Sequence, residues 1–381
     1  MASLEQKSPH HGASKDELHK LCGCTRPTKP TKNGARKKNM QEQPLTQQQA
    51  IAISLIKTDL RFLFTIVKNS ERFKSNYWLS FMPYMGIMID GVEDWLQAYN
   101  RSSKYKITAP TFKKEEQQFY GEMRSAIKMW GMEYDELYQK LKILYEESDR
   151  YFSSLCRPIA KKLHLYDIFG VDLANDQYCG NTILCSFNSP RYKFNNDSTR
   201  YGEHIMEMAK IGGKYIATFG AVEAYKTDPF MTFSYKDYGG FIKSPVGNSF
   251  SDKFMLFSLL CQIQFSLLCI DEFVLEECAT KLRFLYLQYY YTVPMIEKYN
   301  SKTGRGISID KRWVSKGYRN AMAHYKVGVA LRTGEILFDD PLFGLTQKFF
   351  GCDSATLKRN IKIILESVAQ QIKEQLSLSL R

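Results

Sequence analysis

From residue 45 onward the apolar positions settle into a helical rhythm. Ile51, Leu55, Leu60, Phe64 and Val67 recur at three- to five-residue steps, the spacing of one helix face. Further amphipathic stretches cover residues 115–132 and 133–151, the second carrying Leu137, Leu141, Leu144 and Tyr145, so residues 45–154 read as a helical domain. Between 155 and 250 the rhythm breaks. Gly180, Gly202, Gly212, Gly213, Gly220, Gly239, Gly240 and Gly247 punctuate short aromatic segments such as residues 215–219 and 230–235, which read as loops or short strands. This mixed part is a linker or the second part of the N-terminal domain, and no function is assigned to it.

The last 130 residues are the most regular. Helices are expected over 251–277, 279–299 and 310–326, with the cluster Ser301, Lys302, Thr303, Gly304, Arg305, Gly306 ending the second. Two short β-like pieces, 329–331 and 335–338, flank Thr333 and Gly334 as a hairpin. A closing helix begins at an N-cap, Asp353 or Ser354, and carries Leu357, Ile361, Ile364, Leu365, Val368, Ile372 and Leu376 on one face. The fold class is therefore mainly α, residues 251–381 forming a four-helix bundle with a small hairpin. The apolar run 254–270 is broken by Ser258, Gln262, Gln264 and Ser266, so it reads as a central bundle helix, not a membrane span.

Composition adds direction. The chain has 381 residues, enough for two or three domains, and carries Lys and Arg in excess, with net charge +13, which favours polyanionic partners such as nucleic acid. Residues 1–44 hold nine Lys/Arg against four Asp/Glu and join Pro, Gly and charge in the manner of a disordered basic tail. A tag, a linker or a start placed too far upstream would give the same composition, with Met40 as the candidate beginning. No apolar segment follows the first charges, so no secretory signal is expected. Nine cysteines without framework spacing suit a reducing, cytoplasmic setting. His19, Cys22 and Cys24 lack a fourth zinc ligand at suitable spacing. Neither a metal nor a cofactor is expected. Loops of the type that binds ATP or dinucleotides, and zinc-protease and esterase motifs, are missing from the sequence.

The part outside the tail has three histidines: His164, His204 and His324. The third closes the string Tyr318, Arg319, Asn320, Ala321, Met322, Ala323, His324, Tyr325 within the third bundle helix. With small residues at 321 and 323, the later Asp340, Pro341, Leu342, Phe343, Gly344, Leu345 and the amphipathic closing helix, residues 251–381 resemble the HEPN family. Its ribonuclease members carry Arg, a polar residue and then His on the third helix of a four-helix bundle.

The resemblance implies a metal-independent endoribonuclease of the bacterial toxin or anti-phage, abortive-infection kind, with Arg319, Asn320 and His324 as its catalytic residues. It also implies a homodimer in which two Arg–His sets share one cleft, and an antitoxin or sensor partner. Histidine exchanges protons near neutral pH, and arginine grips phosphate with a planar fork that stays charged. Asn320 and His324, four apart, share a helix face. Arg319 and His324, five apart, are separated by roughly 140° around the axis, an offset that a two-fold partner removes. Arg312, Lys316, Tyr325 and Lys326 are candidates for an RNA-binding rim, and solvated surface is the plainer reading of the cations. The tyrosines at 289, 290 and 291 are candidates for base stacking or for bundle packing. His164 and His204 have no neighbours that suggest chemistry. Two rival readings stay open. One is a non-catalytic scaffold of the same fold that binds RNA or a protein, with Arg319 a surface cation and His324 a partly buried histidine. The other is a toxin silenced by a nucleotidyltransferase that modifies Tyr325 or Tyr318.

Overall fold

Thr46 opens the first helix of the described residues with a reciprocal cap: its hydroxyl accepts the Gln49 N–H at 3.3 Å, and the Gln49 side chain accepts the Thr46 N–H at 2.9 Å. The structure, a computed structural model, describes residues 46–73, 77–102, 106–108, 110–188, 200–219, 223–239, 242, 244–324, 331–337 and 339–378. The basic tail, including His19, Cys22 and Cys24, lies outside the described residues, as do Tyr325 and Lys326.

Helices dominate, twelve among the described residues, with one small antiparallel sheet. α1 (Gln47–Lys68), α2 (Tyr77–Ser102), α3 (Lys114–Ala126), α4 (Tyr134–Ser154) and the short α5 (Pro158–Lys162) come first. β1 (Asp167–Ala174), β2 (Gln177–Asn181) and β3 (Phe233–Gly239) pair in the order β2-β1-β3, with α6 (Thr182–Asn188) and α7 (Arg200–Phe219) between the last two strands. α8 (Asp252–Gln264) runs on as a π-helix, Phe265–Glu272, and is followed by α9 (Ala279–Thr303), α10 (Lys316–His324), α11 (Phe343–Phe350) and α12 (Ser354–Gln375).

One apolar cluster, from Ile51 to Leu378, unites these elements, and side chains from all three parts of the chain enter it. At roughly 1.5–3 kcal/mol for each fully buried large apolar side chain, it is the main force holding α2, α8 and α9 together. α8 and its π extension are 94% buried over their most apolar stretch, which makes them a core helix pair. Their polar atoms are answered inside the core. The Tyr77 hydroxyl donates to the Cys269 carbonyl at 3.3 Å, and the Tyr84 hydroxyl lies 3.0 Å from that of Ser266 and accepts from Gln262 at 3.1 Å.

Several expectations need correction. Residues 215–219 are not a strand: they finish α7. The hairpin of the middle segment is β1–β2 instead, closed by Asn175 and Asp176 at φ of 47° and 60°, the left-handed turn that Asn and Asp tolerate. Where the second hairpin was expected, the described residues hold a 3-10 turn, Thr333–Glu335, because the Glu335 carboxylate turns back to accept the Arg332 N–H at 2.6 Å. The helix expected from 310 begins at Lys316. Asp310 accepts the Arg312 N–H at 3.0 Å, and the chain then makes a single turn, the Val314 N–H donating to the Lys311 carbonyl at 3.1 Å, before the helix begins.

Candidate functional site

α10 carries the Arg–Asn–His string, and every end of it is held. Ser315 is its N-cap: the hydroxyl accepts the Tyr318 N–H at 3.2 Å and the carbonyl accepts the Arg319 N–H at 3.0 Å. The Ser315 N–H in turn donates to the Tyr286 hydroxyl at 3.0 Å. Tyr318 is fully buried, with its hydroxyl 3.0 Å from that of Thr346, and burial pushes its pKa well up. It is therefore closed to a modifying enzyme, and the modification reading is left with Tyr325.

At the other end the Met322 carbonyl, one of the last-turn carbonyls without a helical partner, accepts two bonds from Arg283 of α9, at 3.0 Å from Nε and 2.6 Å from Nη2. The same guanidinium pairs through Nη1 with the carboxylate of Asp59 on α1, both side chains 1% exposed, and Thr280 donates to that carboxylate at 2.6 Å. A buried charge is tolerated only when paired and hydrogen-bonded. Here the pairing also pins the motif helix. Sequence reasoning missed this group, because Asp59 stands between Lys57 and Arg61 and Arg283 follows Lys281, so neither reads as a lone charge in an apolar run.

The three motif residues divide between two faces. Asn320 is exposed, as is Lys316, and His324, four residues on, occupies the same face of the last turn; its side chain is outside the description. Arg319 faces α9. Its guanidinium carbon lies 5.2 Å from the ring centre of Tyr290 and 5.7 Å from that of Tyr291, and its Nε is buried with no hydrogen-bond partner. Burial raises the Tyr291 pKa, with Arg319 and Arg124 pulling against it. Tyr289 and Tyr291 are core residues, the Tyr289 hydroxyl donating to the Asp310 carbonyl at 2.8 Å, and Tyr290 is half-buried.

Among the rim candidates, Arg312 is exposed but paired: its Nε donates to Asp310 at 2.8 Å, and it holds that carboxyl below its usual range. Gly317 lets α11 approach, since a β-carbon there would meet the Phe349 ring at 2.7 Å. His164 stands exposed between α5 and β1, its Nδ1 3.5 Å from the Tyr166 hydroxyl, and His204 lies within α7. Among the described residues no group of three or more His, Cys, Asp and Glu is arranged to hold a metal ion. No family model, curated protein or solved structure matches the chain.

Proposed function

We propose that the protein is a metal-independent endoribonuclease of the HEPN kind, acting in the cytoplasm as a bacterial toxin or anti-phage effector. The observation that supports this reading is the seating of α10: a buried arginine and two tyrosines fix the helix, while Lys316 and Asn320 are exposed on the face where helical spacing puts residue 324. In the reaction His324 takes the proton of a 2′-hydroxyl, the freed oxygen attacks the adjacent phosphorus, and the bond to the 5′-oxygen breaks as a second histidine protonates it. Arg319 balances the charge gathering on the phosphoryl oxygens. Asn320 orients the ring or the phosphate. Two copies with their motif helices facing each other supply both histidines and bring an arginine opposite a histidine, and an antitoxin or sensor protein controls them.

Total RNA incubated with the purified chain, with and without EDTA and beside His324→Ala, tests the reading. Expected are cuts that survive EDTA and leave a 2′,3′-cyclic or 3′-phosphate with a 5′-hydroxyl. A strict need for Mg²⁺ with 5′-phosphate ends, or wild-type cutting by His324→Ala, overturns it. One observation favours the scaffold alternative: Arg319 rests on two tyrosine rings of its own chain. Retention of RNA on a filter without new ends would select that alternative.

A further inference from the structure

The geometry points to a second interaction surface, away from the motif helix: the turn after α4 together with α5 docks on an anionic lipid surface, apolar side chains entering the interface and cations meeting the phosphates. Leu155, Ile159 and Leu163 are 66%, 75% and 59% exposed. Ile159 and Leu163 lie one turn apart, since the Leu163 N–H donates to the Ile159 carbonyl at 3.0 Å. Ile242, 46% exposed, belongs to the same end of the sheet: its carbonyl accepts from the N–H of Gly239, which pairs with Asp167 at the start of β1. Single exposed apolar side chains are ordinary, but Ile159 and Leu163 one turn apart, with Leu155 in the turn before them and Ile242 near the same end of the sheet, are enough to mark a contact surface.

Charge selects the occupant. Arg157, Lys161 and Lys162 are exposed within the same segment, and residues 150–166 contain no Asp or Glu. Large apolar side chains set among Lys and Arg are the composition of an interfacial membrane contact, in which burial and attraction to anionic headgroups act together. A free phosphate would use the cations and leave the apolar groups wet. On the sheet side Asp167 and Asp237 line a cavity of about 330 Å³ together with Leu155, Cys156 and Tyr235, so the basic surface ends there.

Flotation of the full chain with phosphatidylcholine vesicles, and with vesicles containing phosphatidylglycerol, tests the inference. The chain is expected to float with the anionic vesicles and not with the neutral ones. Both the double variant Ile159→Ser, Leu163→Ser and the double variant Lys161→Glu, Lys162→Glu should lower the bound fraction about tenfold or more, losing one of the two signals each. All four positions are exposed, so circular dichroism and RNA cleavage should not change. Unchanged flotation of the serine variant would assign the attraction to the basic residues of 1–44 and overturn the inference, as would equal binding to neutral vesicles. Leu163→Trp supplies a second measurement: its emission should shift to the blue on anionic vesicles, and a constant emission counts against insertion. Retention on polyglutamate that depends on Ile159 and Leu163, without flotation, would point to an acidic protein instead and also overturn the lipid assignment.

Discussion

Two arginines meet the same short helix under opposite conditions. Arg283 arrives from α9 with its fork used on three sides, by the Asp59 carboxylate and twice by the Met322 carbonyl, in a place water does not reach. Arg319 leaves α10 half-exposed, with a buried Nε unanswered and two tyrosine rings beneath it. A cation over an aromatic face gains about 0.5–2 kcal/mol, while an orphaned buried donor costs about 1–3 kcal/mol. Those terms nearly cancel, so Arg319 is held weakly where Arg283 is held firmly. The guanidinium of Arg283 has its donors answered within the chain, and that of Arg319 leaves its Nε donor unused.

The largest expected effect tests the firm side. Asp59→Ala or Arg283→Ala leaves a buried charge without its partner and should lower stability by roughly 3–5 kcal/mol, read from urea unfolding. A loss below about 1 kcal/mol would mean that water reaches the pair, as at exposed ion pairs.

The weak side is tested next. Arg319→Ala and His324→Ala should each lower RNA cleavage at least about a hundredfold, while Arg319→Ala shifts stability by less than about 1 kcal/mol because the lost ring contact and the removed orphan donor offset each other. Asn320→Ala should do less damage. An Arg319→Ala variant as unstable as Arg283→Ala would erase the distinction between the two arginines.

A smaller effect sharpens the picture of buried pairing elsewhere. Asp271 is desolvated, which by itself lifts its pKa, yet Lys358 at 2.6 Å and Lys362 at 3.0 Å hold the carboxyl below its usual range. Its folded pKa thus lies under the unfolded value of about 3.9. The stability it contributes is complete above that value and is lost as pH falls through the folded pKa. The urea midpoint should drop on acidification below about pH 4, and Asp271→Asn should flatten that limb. Smallest of all, His164→Ala should leave both cleavage and stability unchanged.

How much of this was legible follows from the kind of signal. α12 could be read from its apolar face and from Asp353, whose carboxylate caps the Thr356 N–H at 2.6 Å, because both are local. α10 was legible as a helix but not in its start, since the turn of Asp310 onto Arg312 competes with helix at just that point. α7 was misread where its end, residues 215–219, carries aromatic and β-branched residues, and packing overrides their propensity. At the site, the spacing of Asn320 and His324 was local information. The direction of Arg319 depended on tyrosines of α9, and the grip of Arg283 on a carboxylate of α1, neither of which any window of sequence displays.

The ion pair between Asp59 and Arg283 joins residues 224 positions apart, and this separation says something about when the motif helix matures. During synthesis α1 is complete long before α10 leaves the ribosome, and contacts so distant along the chain close late. A chain released between residues 283 and 322 therefore has both members of the pair and no helix to seat. Conversely, residues 251–381 made alone would carry Arg283 into an apolar interior without its carboxylate. The segment that holds the motif is in this respect not a portable module, because α1 supplies the carboxylate that answers the arginine beneath α10.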